Sequence, residues 1–504
     1  MAYVELHCHS AFSFLDGASH PVELANAAAQ QGHEALALTD HDGLHGAMEM
    51  AQALTTIGMR PITGAEVTLD DGHHLTLLCE NAAGYRNLCR LLTEAYEPDR
   101  LEPRVALEAV ERRAEGVVCL TGCARDGVLA KRIERGSHAA AKAAGERLVK
   151  AFGRESLRVE LQRPYGRRDH RRNRLLAQLA DRLGVPTVAT GNVHAHARER
   201  AALQDVFVAV RLGTTLDESE PRRRGNHSHY LAPPGAMAER FRDMPEAVHE
   251  SGRLADRLRF DLTQDLGYRY PGSEDEDADR KLAQLCDALM GRYAGRASHA
   301  EARARLEEEL RVIRSLGLSG FFLLHRDMLE LAREVAAEVR GADAARAVLP
   351  PGRGRGSSVA SVVCFLTGLS HVDPIEKKLS LGRFLNDDLT ALPDIDLDFP
   401  RDIREVLIPR VQERYGHDRS ALVASFSTYR NRSAIRDFGK ALGLPAGEIE
   451  RAARAADPWN GGDIGEDFAR ALGRNRVDTP RWQALVRLVQ DAANLPRHVS
   501  QHPG

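Results

Sequence analysis

A series of short apolar runs, several ending beside a residue able to bind a metal, constrains this chain's fold more than any other feature. Residues 3–7, 35–39, 61–66, 74–79, 117–121, 157–161 and 185–191 read as mostly buried strands. Helical periodicity over 21–31, 44–56, 84–95, 137–152 and 170–183 separates several of them. Such alternation implies a largely parallel sheet, open or closed into a barrel. Asp70-Asp71-Gly72 breaks the pattern, because this turn signal joins the third and fourth strands directly.

His7 and His9 end the first strand, and Asp16 follows in the next loop. Asp40-His41-Asp42 ends the second, Glu66 the third, and His74 opens the fourth. Cys123 follows the fifth strand, and Asn192 and His194 follow the seventh. In βα barrels, functional groups gather at the C-terminal ends of several strands. Imidazoles and carboxylates with one thiolate suit Zn²⁺ or Mn²⁺ better than Mg²⁺ alone. One such histidine is more often an ordinary core or surface residue. His-x-His, Thr-Asp-His-Asp and Asn-x-His, all at strand ends, together favour a metal centre.

The totals exclude several classes. With 504 residues, the chain has room for roughly three domains. A net charge of −3 does not advertise a polyanion partner, so any nucleic-acid site is a local patch. No run reaches the roughly 20 apolar residues of a membrane span, and the first residues lack a signal-peptide pattern, so no membrane partner is expected. Seven cysteines without framework spacing suit a reducing compartment, and the chain reads as cytoplasmic. The basic runs at 163–174 and 221–224 are either solvated faces or phosphate contacts. Residues 272–279, acidic and glycine-started, read as an exposed boundary.

A second chemical pattern lies further on. In Pro393-Asp394-Ile395-Asp396-Leu397-Asp398-Phe399 the side chains alternate, so a strand here turns three carboxylates to one face and three apolar groups to the other. Carboxylates roughly 6.5 Å apart repel one another unless cations sit on them, and Mg²⁺ is the natural candidate. About 40 residues earlier, Gly352-Arg353-Gly354-Arg355-Gly356-Ser357-Ser358 precedes an apolar run. Glycines allow close backbone approach, Ser357 and Ser358 suit a helix cap, and the following helix would turn free N–H groups to an anion. Phosphate cradle, arginine and metal carboxylates in that order describe phosphoryl or nucleotidyl transfer.

Val4-Glu5-Leu6-His7-Cys8-His9-Ser10, Leu38-Thr39-Asp40-His41-Asp42, Thr63-Gly64-Ala65-Glu66, Thr121-Gly122-Cys123 and Gly191-Asn192-Val193-His194 resemble the polymerase and histidinol phosphatase (PHP) domain. Gly354-Arg355-Gly356-Ser357-Ser358, Arg383-Phe384-Leu385-Asn386, the Asp394–Asp398 strand and Ile435-Arg436-Asp437-Phe438-Gly439 resemble the C-family bacterial DNA polymerases, meaning the DNA polymerase III α subunit and its error-prone paralogues. The resemblance implies an α/β chain: a distorted seven-stranded βα barrel at 1–265 with its connector, an incomplete α+β nucleotidyltransferase-like palm at 266–426, and a helical thumb at 427–496. Residues 497–504 would begin a returning palm segment that is truncated before a third catalytic aspartate.

By that resemblance His7, His9, Asp16, His41, Glu66, His74, Cys123 and His194 would bind Zn²⁺ or Mn²⁺ in a phosphoesterase or 3′–5′ exonuclease centre. Asn192 departs from the usual Asp-x-His and would be at most a weak ligand. Asp394 and Asp396 would be catalytic, holding Mg²⁺, with Asp398 in support; Gly356, Ser357 and Arg383 would receive the nucleotide. Arg430, Arg432 and Arg436 are candidate DNA contacts. Implied partners are primer-template DNA, deoxynucleoside triphosphates and, through further regions, a sliding clamp and other replication or damage-response proteins. Val193-His194-Ala195-His196 and Leu203-Gln204-Asp205-Val206 look closer to the error-prone branch. A stand-alone phosphoesterase and a non-catalytic replisome scaffold are the alternatives.

Overall fold

The computed structural model describes residues 3–267, 270, 272–346, 349–385, 395–459 and 461–502. Asp394 and Asn386 lie outside these residues, as does the side chain of Arg383. Among the described residues there are ten strands: β1 (Ala35–Leu38), β2 (Arg60–Thr68), β3 (His74–Cys79), β4 (Val117–Leu120), β5 (Leu157–Gln162), β6 (Thr187–Thr190), β7 (Arg353–Arg355), β8 (Asp396–Asp398), β9 (Ala424–Thr428) and β10 (Pro496–Gln501). The chain forms two compact units, one of Met1–Leu266 with Ala424–Gln501 and the other of Gly267–Val423 with His502–Gly504.

In the first unit β1 to β6 lie side by side in sequence order. β1–β2, β4–β5 and β5–β6 are parallel, but β3 runs antiparallel to both its neighbours. The sheet is largely parallel, as the alternation implies, and the reversal of β3 has a local cause. The Asp70-Asp71-Gly72 turn closes with a 2.8 Å bond from the Leu69 N–H to the His73 carbonyl, and so short a connection can only reverse the chain. The segment expected to be the first strand pairs through single bridges, Glu5 to Leu36 and Cys8 to Val193. Those bridges link it to β1 on one side and to the residues after β6 on the other, which closes the curled sheet into a seven-membered ring.

Helices such as Pro21–Gln30, Ala47–Thr56, His138–Phe152 and Asp169–Leu183 follow the expected positions closely. The helix Asn431–Ala441 buries Ala434, Ile435, Phe438 and Ala441, a spacing that lines one face. That face packs with Phe207 of the helix Ala201–Leu212, whose ring stacks on Tyr429 at 5.8 Å, in a core that also holds Trp482 and Phe468.

The second unit gathers the helices Ala278–Leu289, His299–Ser315, Ser319–Arg340 and Val362–Thr367 around one apolar core. Phe321 and Phe322 are buried in it, as their apolar run suggests. β7 and β8 form a two-stranded antiparallel ribbon on this unit, pairing Arg355 with Asp396 and Arg353 with Asp398.

Candidate metal centre

Glu66, near the end of β2, is buried at 1% side-chain exposure among imidazoles. Its Oε2 lies 3.5 Å from Nε2 of His7, 3.5 Å from Nε2 of His9 and 3.2 Å from Nδ1 of His41, while its Oε1 lies 3.3 Å from Nδ1 of His74. The side chains form three overlapping sets able to hold a cation: His7, His9 and Glu66; His41, Glu66 and His74; and His9, His41 and His194. Five segments distant in sequence therefore meet at one end of the barrel.

Local structure explains the aim of each ring. The His7 Nδ1 contacts the buried Glu160 carboxylate at 2.6 Å, which leaves Nε2 facing Glu66. His194 turns Nδ1 to the Asn192 carbonyl at 2.9 Å, and its Nε2 faces inward. Asp40 is structural: it accepts from the Ser10 N–H and from the hydroxyls of Ser10 and Ser13, fixing the loop that leads to Asp16. Asp42 accepts from the N–H and hydroxyl of Thr68 and anchors β2. Of Asp40-His41-Asp42, only His41 joins the cation sets among the described residues. Gly122 has φ +87°, and a Cβ there would meet the His74 carbonyl oxygen at 2.1 Å, so glycine alone lets Cys123 settle beside His74.

The electrostatics suit cation binding. Burial alone would raise the Glu66 carboxyl, yet His74, His41 and His7 hold it well below the usual carboxylate range. Burial opposes charge on His7, but Glu160 and Glu66 hold its pKa well above the ordinary imidazole value. His9 and His194 are pushed well down, by burial first and then by His194 and His41 in one case and Arg224 in the other. The buried atoms Glu66 Oε1, His74 Nδ1, His194 Nε2 and Asn192 Oδ1 have no hydrogen-bond partner. Glu66 Oε1 and His74 Nδ1 face each other at 3.3 Å without a formed hydrogen bond, in one of the side-chain sets able to hold a cation, and such unsatisfied buried atoms fit a site completed by metal. Asn192 sits at φ +51°, a left-handed conformation that asparagine tolerates better than most residues.

Several participants were not singled out from the sequence. Glu160 lies on β5, where Arg158, Glu160 and Gln162 alternate with apolar residues, so the period-two pattern carried the signal. Arg224, from the basic run at 221–224, turns inward and places Nη2 2.8 Å from Asp16 Oδ2; Arg211 reaches the same oxygen at 3.2 Å. Burial would raise the Asp16 carboxyl, but Arg224 and Arg211 pull it well down. In the other basic run, Arg163 pairs with Asp243, and the buried Arg172 donates to the Gln162 carbonyl and to Asp169. A cavity of about 600 Å³ opens on His41, Glu66 and His74, and Arg125, Arg211 and Arg224 are among its walls.

The second unit's acidic strand is a different kind of place. Ile395 is buried and Leu397 packs on the core, while Asp396 and Asp398 are 43% and 53% exposed, as the alternation requires. Arg355 lies across both carboxylates, 3.2 Å from Asp398 and 3.6 Å from Asp396. Gly356 and Ser357 are exposed in a 3₁₀ turn, Gly356–Ala360, and Leu381–Arg383 forms another.

The expected anion-binding helix is not as read. It begins at Val362, its cap is Ser361, and the carboxylate of Glu309 already takes the N–H groups of Val362 and Val363 and the Ser361 hydroxyl. Ser358 instead donates to the Arg355 carbonyl. Ser361 rather than Ser357 or Ser358 caps because its extended backbone directly precedes the first helical residue.

Of the three candidate DNA-contacting arginines, Arg436 forms a two-point pair with Glu450 at 2.9 and 3.1 Å. Arg430 donates to Asn494 and lies over the Trp459 ring, and Arg432 reaches the Ala456 carbonyl at 3.4 Å. Among the described residues, no helix is long and apolar enough to cross a membrane.

The model of the bacterial DNA polymerase III alpha NTPase domain matches residues 280–504, and that of the PHP domain matches residues 5–164. An error-prone DNA polymerase of Symbiobacterium thermophilum is 37% identical across 100% of this chain and 47% of its own length. The chain therefore carries a stretch similar to a bacterial DNA polymerase III alpha domain and another similar to a PHP domain. Error-prone DNA polymerases of Pseudomonas syringae and Mycobacterium bovis are 36% and 35% identical across the whole chain and cover 46% and 45% of their own lengths. The chain thus spans about half the length of these relatives. An amidohydrolase structure from Chromobacterium violaceum aligns at 19% identity over 38% of this chain and 88% of its own, with a TM-score of 0.30, too low to carry an argument.

Proposed function

We propose that this chain supplies the PHP barrel (1–265), part of the palm (266–426) and the thumb (427–496) of a template-directed DNA polymerase of the error-prone type, with 497–504 returning to the palm. The observation that carries this reading is the β7–β8 ribbon, which joins two motifs some forty residues apart and lays Arg355 against Asp396 and Asp398. Asp394 and Asp396 are the proposed Mg²⁺ carboxylates. Mg²⁺ bound there would activate a primer 3′-hydroxyl and neutralise triphosphate charge. Asp398 supports the pair through Arg355, and the exposed Gly356 and Ser357, with Arg383, receive the nucleotide phosphates. Primer-template DNA and deoxynucleoside triphosphates are the substrates, and Arg430, Arg432 and Arg436 face the DNA backbone. A sliding clamp would be engaged by regions of the whole polymerase. Primer extension by the complete gene product tests this: Asp396→Ala should abolish it, and undiminished extension would reject the assignment.

The three overlapping cation sets around Glu66 and His9 support a second activity in the same chain, metal-dependent release of nucleotides from a DNA 3′ end. His7, His9, His41, Glu66, His74, Cys123 and His194 would hold Zn²⁺ or Mn²⁺, with Asn192 contributing a neutral oxygen. Metal held there would supply a nucleophilic water at neutral pH. Glu160 fixes the His7 tautomer, and the cavity's arginines hold the phosphate. Mn²⁺-dependent nucleotide release that His7→Ala with His9→Ala eliminates is the expected result. No hydrolysis with Mn²⁺, Zn²⁺ or Mg²⁺ would remove this reading.

A further inference from the structure

Asp16 is buried, and both of its oxygens are already engaged. Arg224 addresses it in a fork, Nη2 at 2.8 Å from Oδ2 and Nε at 3.4 Å from Oδ1. Arg211 adds Nη1 at 3.2 Å from Oδ2, and Gln204 adds its amide at 3.4 Å from Oδ1. Arginine stays protonated in proteins, so this carboxylate faces two permanent positive charges. A divalent ion placed on Asp16 would meet both at close range, in surroundings that screen charge poorly.

The loop carrying Arg224 is built to deliver it. Gly225, Asn226 and His227 all have positive φ, at +68°, +55° and +45°, an unusual run that turns the chain sharply. The Asn226 amide donates to the carbonyls of Pro164 and Tyr165, and Arg223 pairs with Asp205 at 3.1 Å. Arg224 is thus held from both sides. The cation sets among the described residues agree, since Asp16 belongs to none of them. The set of His9, His41 and His194 contains no carboxylate; Asp16 is near it, 3.5 Å from His41 and 3.8 Å from His194, but is neutralised by arginine. Asn192 brings no charge.

We propose that the Arg224 guanidinium stands in place of one metal ion at Asp16, so that the centre takes divalent cations only on its Glu66 side. Asp16 is then the anchor of a fixed organic cation rather than a metal ligand. This rests on the reading of the barrel end as a metal centre, and it narrows that reading from a full ligand shell to a smaller one. A guanidinium differs from a metal in consequence: it can hold a phosphate oxygen by hydrogen bonds, but it cannot lower the pKa of a bound water as a metal does.

Metal stoichiometry tests the idea directly. The 504-residue chain is dialysed to equilibrium against Mn²⁺ alone and its ion content per chain is measured, with the thermal unfolding midpoint as a check on folding. Asp16→Asn should keep the wild-type ion count. Arg211→Gln with Arg224→Gln should take up one further ion per chain, and adding Asp16→Asn to that pair should cancel the gain. Arg224→Gln alone leaves Arg211 on Asp16 and is the milder variant, expected to move the count in the same direction. Loss of an ion on Asp16→Asn overturns the proposal, as does an unchanged count in the folded arginine variants. If wild type and every variant bind no Mn²⁺, and Glu66→Gln behaves identically, the metal reading itself falls and the proposal with it.

Discussion

The barrel-end cluster and the acidic ribbon both collect carboxylates, yet they are organised in opposite ways. His7 and Glu66 are sealed from solvent, and Glu160, Asp40 and Asp42 each lock a neighbouring residue or loop in position. Asp396 and Asp398 stand on a three-residue strand, half exposed, with Arg355 as their partner in the ribbon. The first centre carries its geometry within the fold and leaves unsatisfied atoms for a cation. The second leaves its carboxylates half exposed, and no buried neighbour fixes them as Glu160 fixes His7. Buried sites should therefore respond to substitution in affinity and stability together, and the exposed ribbon in activity alone.

The sharpest break between the two comes from Asp396→Ala in the complete polymerase. Primer extension should fall by about a thousandfold, equivalent to about 4 kcal/mol of transition-state stabilisation. The unfolding free energy should move by less than about 0.5 kcal/mol, because the side chain is a surface one. A comparable loss of stability would show the ribbon to be a structural element. Within the same unit, Glu309→Ala should do the reverse. It strips the bonds to Val362, Val363 and Ser361 inside the core and should cost about 3 kcal/mol in denaturant unfolding.

At the barrel end, Glu160→Gln keeps the shape but weakens the hold on the His7 Nδ1. Mn²⁺ affinity measured by titration should drop about 10–100-fold, with His7→Ala adding little to the double variant if the two act as one unit. The smallest effect is expected at Arg436→Ala. Its exposed pair with Glu450 contributes no more than about 1 kcal/mol to stability. If Arg436 also touches a phosphate, the salt dependence of DNA binding should lose about one unit of slope. An unchanged slope would confine the residue to Glu450.

Where the sequence spoke through periodicity, it was readable. The alternation around Asp396 and the helices expected at 21–31, 137–152 and 170–183 needed only local rules, and all are found in place. What sequence could not reveal depended on long-range geometry. Glu309 stands more than fifty residues before the helix end it fills, so that end read as open. Arg224 looked like one of a solvated run until the backbone turned after it. Asp16 was named through the family resemblance, and its pairing with Arg224 and Arg211 spans some two hundred residues, beyond the reach of local pattern.

The discontinuous first unit also has a consequence in time. Leu203, Val206 and Phe207 find their cover in Tyr429, Ile435 and Phe438, and all of Gly267–Val423 is synthesised in between. At a ribosomal rate of about 5–20 residues per second, that apolar face waits on the order of 10–45 s for its partner. During that interval the nascent barrel presents a ready hold for a chaperone, or for another unfinished copy of itself.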